Sequence, residues 1–274
     1  MFFGMLVGGI LFDLWQPLPF LGAAGLIMLV TFITVATIKE PTPDPEEAAV
    51  SLGFSAGLRD IASSLVGRVR IRRFLVANFL WEATISGIRP FIMLYFLYAL
   101  GANTRTGALL LGVVGVVHVA AAILSGFLGD RFGRTRIMWI GIAVYFVGCV
   151  IGFFLRDLRL GFFLLPIFGL GGSTVLTLPY AIFVNMVPRG RYGQFTGYFS
   201  MARALAVIVS PVIAGIAIDA SAPFLTETRG YNMIWGVAAV AVALSALFFW
   251  RANPERGVTP GRVWRAEQSG ELGR

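Results

Sequence analysis

The chain has 274 residues, of which 57% are hydrophobic and only 13% charged, against roughly 45–50% and about 25% in an ordinary soluble domain. With a mean hydropathy of +0.81, this composition excludes a soluble globular enzyme and a disordered chain, and the single cysteine, Cys149, excludes a disulfide scaffold or a thiolate zinc site. A formal charge of +8 would suit nucleic acid in a soluble protein, but the basic residues, one lysine (Lys39) and otherwise arginines, fall between apolar runs and form no run of five or more like charges.

What remains is an all-α, polytopic membrane protein. A span takes about 20 residues, and apolar runs lie at Met1–Phe12, Pro19–Ile38, Phe74–Leu100, Thr106–Leu128, Ile137–Leu155, Leu160–Val187, Phe195–Ile218 and Asn232–Trp250. This gives about eight spans, the first too short to cross. Because Met1 already stands in an apolar, glycine-rich stretch, we expect this run to be the end of a truncated helix. We expect no signal peptide here: no basic residue precedes the run, and Asp13 and Trp15 follow it in place of a small-residue cleavage site.

Alternate loops differ in charge. Sixteen Lys and Arg fall on one side, in Lys39–Arg73, Asp130–Arg136, Pro188–Gly193 and the tail after Trp250. Four fall on the other, Arg105, Arg156, Arg159 and Arg229, and Arg89 and Arg203 lie within spans. The bias places the 39–73 segment and the C-terminus in the cytoplasm. Lys39–Arg73 opens on a proline-rich acidic stretch and continues into an amphipathic one around Leu58–Val69, which we read as a domain linker ending on the membrane surface. The expected divisions are 1–38, the linker 39–73, a helical bundle 74–250 and a tail 251–274.

Between the fourth and fifth runs stands Gly126-Phe127-Leu128-Gly129-Asp130-Arg131-Phe132-Gly133-Arg134-Thr135-Arg136. Glycines permit a tight reversal, and the aspartate and arginines place opposite charges at the helix ends. Gly126, Asp130, Arg131, Gly133 and Arg134 closely resemble the cytoplasmic loop of the major facilitator superfamily (MFS), with Thr135 where another basic residue is usual and Arg136 covering for it. In that family the loop joins the second helix to the third and the eighth to the ninth. The second placement makes 1–38 resemble helices five and six, 74–250 helices seven to twelve, and the loop residues a gating motif. The resemblance implies a multi-pass protein of the plasma (cell inner) membrane that rocks two six-helix halves around a midplane site.

Ionisable groups at membrane depth are expensive and mark function by default. Asn78, Glu82 and Arg89 stand at i, i+4 and i+11, within roughly 40° of one another on a helix face. Glu82 and Arg89 lie ~10 Å apart along the axis, too far for an easy pair and suited to a bridging solute, water or another helix. Pro90 gives no amide hydrogen to the Ser86 carbonyl, so the helix should loosen there. We expect Arg89 to recognise an acceptor or anionic substituent and Glu82 to bind solute or a coupling proton; an interhelical structural pair is the other reading. Arg203 either lines an inner vestibule or snorkels, and His118 either relays protons or bonds to a neighbouring helix. Thr174, Thr177, Tyr180 and Asn185, with Pro179, make a polar-solute wall or a hydroxyl-rich packing face.

Enzymatic patterns fail. Gly53-Phe54-Ser55-Ala56-Gly57 matches a nucleophile elbow but lies in the linker, and the only histidine, His118, is within a span. Gly169-Leu170-Gly171-Gly172 lacks the third glycine and the preceding strand of a dinucleotide site. No metal cluster and no cofactor is expected. Gly148/Gly152 and Gly193/Gly197 permit close helix approach. The function expected is secondary, ion-coupled transport of a small-molecule solute, whether sugar, organic acid or drug-like; a loose likeness to sugar-carrying branches lies in the sixth and seventh runs. Partners are solute, membrane lipid and the missing N-terminal helices or a complementary half, with no nucleic acid. The alternative is a non-transporting membrane scaffold or assembly partner, and residues 1–274 alone are expected to insert without transporting.

Overall fold

The computed structural model describes residues 11, 15, 17–37, 67–187 and 191–252. The short first run, most of the 39–73 linker with its Gly53–Gly57 stretch, and the tail from 253 onward lie outside them. Two compact units are present, Met1–Asp60 and Ile61–Arg274.

In the first unit, α1 spans Leu18–Thr37 with no acidic residue in its first turn and no basic residue in its last. Of its three threonines, Thr31 donates to the Ile27 carbonyl (2.8 Å) and Thr37 to that of Ile33 (2.6 Å). A hydroxyl spent on its own helix in this way needs no other partner in lipid.

The second unit contains α2 (Val69–Ile88), α3 (Ile92–Tyr98), α4 (Thr104–Phe132), α5 (Arg134–Phe154), α6 (Leu158–Val184), α7 (Tyr192–Ser221) and α8 (Met233–Ala252), with a 3-10 turn at Thr226–Thr228. Among the described residues, six helices are long and apolar enough to cross a membrane: α1 and α4 to α8. The Phe74–Leu100 run forms α2 and α3, divided at Arg89–Phe91. The α-helical bond that Pro90 cannot make is missing, and Phe91 N–H bonds instead to the Ile88 carbonyl at 3.0 Å.

Local chemistry sets the other ends. Asn103 caps α4 by accepting from Thr106 N–H at 2.8 Å, and Asp157 caps α6 by accepting from Arg159 N–H at 2.7 Å. Gly133 separates α4 from α5 at φ +96°, a conformation open to glycine. At the start of α2, Arg70 Nε donates to the Ala252 carbonyl (3.3 Å) and Arg73 Nη1 to that of Arg251 (3.1 Å). These arginines meet the negative end of α8, which runs antiparallel to α2.

The core is aromatic where α2, α6 and α8 converge. Phe74 lies against Trp81, Phe183 and Phe249 with ring centroids 5.7–6.0 Å apart. Toward the other end, Trp235 of α8 packs edge-on to Phe168 at 4.7 Å and to Tyr95 at 5.5 Å. Glycine admits these contacts. A Cβ at Gly148 would stand 2.9 Å from the Phe168 Cα, one at Gly152 would stand 2.6 Å from the Trp235 ring, and one at Gly171 would run into the Tyr145 backbone. Gly193 and Gly197 have open space around them and carry no close approach.

Candidate functional site

Glu82 lies in the second half of α2 and is buried, at 7% exposure. Its partner comes from another helix: Arg203 Nε of α7 donates to Glu82 Oε2 at 3.0 Å. Arg203 stands about 16 Å along α7 from Tyr192 at ~1.5 Å per residue. Two turns further on, the Gly87 backbone lies close to α7, where a Cβ would stand 3.4 Å from the Ser210 carbonyl. That approach brings the parallel helices near enough for the carboxylate to reach the guanidinium. The Arg203 side chain is half exposed (52%) while that of Glu82 is not (9%), so the pair is open on one side and enclosed on the other.

The expected stripe on α2 therefore divides. Asn78 is buried, and its Nδ2 has no hydrogen-bond partner among the described residues. Arg89, past the last residue of α2, is exposed at the break. The sequence places Glu82 and Arg89 on one face; the structure pairs Glu82 with α7 and leaves Arg89 exposed at the break. His118 is half-buried, and its carbonyl accepts from Ser173 Oγ of α6 at 2.7 Å.

On α6, the two threonine hydroxyls close onto their own helix, unlike that of Ser173. Thr174 donates to the Leu170 carbonyl at 3.0 Å and Thr177 to that of Ser173 at 2.8 Å. Asn185 Nδ2 donates to the Ala181 carbonyl. Tyr180 reaches outward instead: its ring packs edge-on to Phe199 at 5.4 Å and its hydroxyl lies 3.4 Å from Thr196 Oγ1, both on α7.

The glycine–arginine turn ties three helices. Arg134 grips Asp130 Oδ1 through Nε (3.0 Å) and Nη2 (2.8 Å), and its Nη1 reaches the Ala181 carbonyl near the end of α6 at 3.4 Å. Gly129 makes room for Leu178 of α6, from which a Cβ would be 3.1 Å away. Arg131 lies over the Phe132 ring at 5.4 Å, while Gly126 and Arg136 make no close contact of this kind, Gly126 having open space and Arg136 being exposed.

Sequence reading missed a buried hydroxyl pair. Tyr145 OH of α5 and Thr84 Oγ1 of α2 lie 2.7 Å apart, and Thr84 also donates to the Trp81 carbonyl at 2.6 Å. Tyr95 OH donates to the Gly152 carbonyl at 2.8 Å, and Asn232 Nδ2 to that of Phe153 at 2.6 Å. The available signal was that a tyrosine within an apolar span needs a polar partner; which partner was not readable. Among the described residues no group of three or more His, Cys, Asp or Glu could hold a metal.

The sequence profile of the Major Facilitator Superfamily matches residues 74–267. Among curated relatives, the Uncharacterized MFS-type transporter YxiO of Bacillus subtilis (strain 168) is 27% identical over 166 residues, covering 59% of this chain and 37% of that protein. Multidrug resistance protein MdtG of Escherichia coli (strain K12 / DH10B) is 24% identical over 262 residues, covering 93% and 60%. The Multi-drug resistance efflux pump PmrA homolog of Lactococcus lactis subsp. lactis (strain IL1403) is 23% identical over 245 residues, covering 85% and 58%. The chain thus spans less than two thirds of the length of these relatives. The in meso crystal structure of the POT family transporter PepTSo shares the fold, with a TM-score of 0.54 and 17% identity over 66% of this chain and 37% of that one.

Proposed function

Because the chain belongs to the Major Facilitator Superfamily, and so to a family of multi-pass membrane transporters, we propose that it supplies half of the solute path of a secondary transporter working by alternating access. The observation that carries this reading is the Glu82–Arg203 pair. A carboxylate at membrane depth is costly, and a charge kept there and half open to a cavity marks a solute or ion path.

In this reading α2, α4, α6 and α7 form the wall. Glu82 takes a cationic group of the solute or a coupling proton, and Arg203 pairs with the carboxylate while the site is empty. Asn78 offers its unpartnered amide, Arg89 with His118 binds an acceptor or anionic substituent, and Thr177 and Tyr180 supply polar contacts from α6. The turn holding Gly126, Asp130, Arg131, Gly133, Arg134 and Arg136 acts as the gate linking α4, α5 and α6. Residues 74–250 are one six-helix half, 39–73 the linker, and the arginine bias puts the tail in the cytoplasm of a cell whose inner membrane holds the protein. The cavity is completed by further helices, in keeping with the greater length of the relatives. Two of those relatives are named for drug resistance, which favours export of a drug-like solute over sugar uptake.

The test is transport of cationic dyes, organic acids and sugars by vesicles carrying the chain co-expressed with the N-terminal helices of a full-length relative. Glu82→Gln and Arg203→Gln should each remove transport at matched folded levels. Full transport in both variants would overturn the assignment.

A further inference from the structure

Between α2, α7 and α8 lies a groove of about 180 Å³ whose wall includes Leu80, Ala83, Gly87, Ile213, Ala241 and Leu244. Its two hydroxyls are already used: Thr84 bonds to the Trp81 carbonyl and Tyr145 OH, and Ser210 to the Ala206 carbonyl at 2.6 Å. The groove therefore offers an occupant no polar partner. It suits hydrocarbon.

The polar partners stand at one end of the same seam. Arg73 precedes Leu80 by seven residues and Arg251 follows Leu244 by seven, so each arginine lies two turns away on the helix face that lines the groove. The bond from Arg73 Nη1 to the Arg251 carbonyl (3.1 Å) joins the two helices there. A guanidinium has five donors, so Arg73 keeps others for a second acceptor, and Arg72 and Arg251 are exposed beside it. No carboxylate faces this corner among the described residues. Asp130 is held by Arg134 and Glu82 by Arg203, and Asp157, Asp219 and Glu227 belong to the opposite end of the bundle. Trp250, 67% exposed, sits at the same level, as tryptophan does at a headgroup boundary.

We propose that the α2–α8 seam is a binding site for an anionic phospholipid, its phosphate on Arg72, Arg73 and Arg251 and one acyl chain in the groove. The lengths agree. From Arg251 to Ala241, or from Arg73 to Ala83, is ~15 Å along the helix axis, which is half the ~30 Å hydrocarbon thickness. One leaflet's chain thus reaches the middle of the groove while its phosphate meets the arginines. A zwitterionic lipid such as phosphatidylcholine would fill the groove but bring a quaternary ammonium along with its phosphate to the three guanidinium groups, so selection is by the net charge of the headgroup. The site is separate from the solute path and needs no transport to be detected.

The experiment is native mass spectrometry of the purified, delipidated full chain titrated with phosphatidylglycerol, with phosphatidylcholine of the same acyl chains, and with glycerophosphoglycerol, which has the headgroup and no chains. Phosphatidylglycerol should bind more tightly than phosphatidylcholine. Arg72→Gln with Arg251→Gln, which leaves the Arg73 bond to the Arg251 carbonyl in place, should lower phosphatidylglycerol affinity by about fivefold per arginine and leave phosphatidylcholine unchanged. Ala241→Leu and the larger Ala241→Phe should weaken both lipids by degrees, with circular dichroism confirming helicity. Equal binding of the two lipids by the unaltered chain, or an undiminished preference in the arginine variant, overturns the proposal. So does unchanged lipid binding in the folded Ala241 variants, and glycerophosphoglycerol binding as tightly as the lipid would assign the arginines to a free phosphate ester instead.

Discussion

Glu82 of α2 and Arg203 of α7, 121 residues apart in sequence, meet at 3.0 Å with the carboxylate buried and the guanidinium half in the open. The asymmetry decides how the two respond to substitution. Arg203→Ala leaves a buried charge unpartnered and should cost about 1–3 kcal/mol. Glu82→Gln leaves an arginine that can turn to water and should cost less. Thermal unfolding in detergent, with the double variant Glu82→Gln/Arg203→Ala closing the cycle, measures the coupling; equal losses in both singles would mean that the carboxylate is better solvated than its burial implies.

The Asp130–Arg134 bond separates gating from stability. Both side chains are largely exposed (67% and 40%), so Asp130→Asn should change stability by less than about 1 kcal/mol. If the turn is the gate, transport should fall all the same. Gly133→Ala is the contrast: at φ +96° an alanine is strained, at a cost of about 1–3 kcal/mol, and folded yield should drop. Paired measurements of melting temperature and transport distinguish the two effects.

Helix spacing in the second unit rests on single hydrogen atoms. Gly171→Ala drives a methyl group into the Tyr145 backbone and should force α5 and α6 apart, with a loss of roughly 2 kcal/mol or more. Gly197, with nothing within 4 Å of an added Cβ, should accept alanine within about 1 kcal/mol, on the stabilising side through helix propensity. Chemical denaturation or the yield of monodisperse protein checks both.

For the buried hydroxyl pair, Tyr145→Phe should cost about 1 kcal/mol, because Thr84 keeps its bond to the Trp81 carbonyl. Thr84→Val in the unaltered background should cost more, since it strands a fully buried phenol. Adding Tyr145→Phe to Thr84→Val should recover part of that loss. Melting temperatures of the three variants test this order, and a double variant worse than both singles would contradict it.

Much of the architecture was legible from one dimension. The positions of α1 and α4 to α8 follow from apolar runs of spanning length, the break at Pro90 from the amide hydrogen proline lacks, and the turn at Gly133 from a conformation open to glycine. Other inferences changed with the third dimension. The helical period placed Glu82 and Arg89 on one face, and the chain folds so that α7 claims the first while the second stands exposed at the break. Gly148 and Gly152 proved to be close-approach points while Gly193 and Gly197 did not. Gly169–Gly172, which failed as a dinucleotide site, holds at Gly171 the tightest of these approaches. The threonines of α6, a polar wall by composition, spend their hydroxyl protons on their own backbone.

What the sequence by itself determined was the solvent and the candidate spans: which segments are apolar enough for lipid, where helices must stop, and which turn bears a recognisable spacing. These depend on each residue's own transfer energy and on neighbours within a turn or two. Only the tertiary structure decided who meets whom. The partner of Glu82, the bond between Thr84 and Tyr145 and the arginines capping α8 depend on how far apart two helices lie and how each is rotated about its axis. Those quantities are set by close packing at a few glycines, and a periodicity read along a single helix does not contain them.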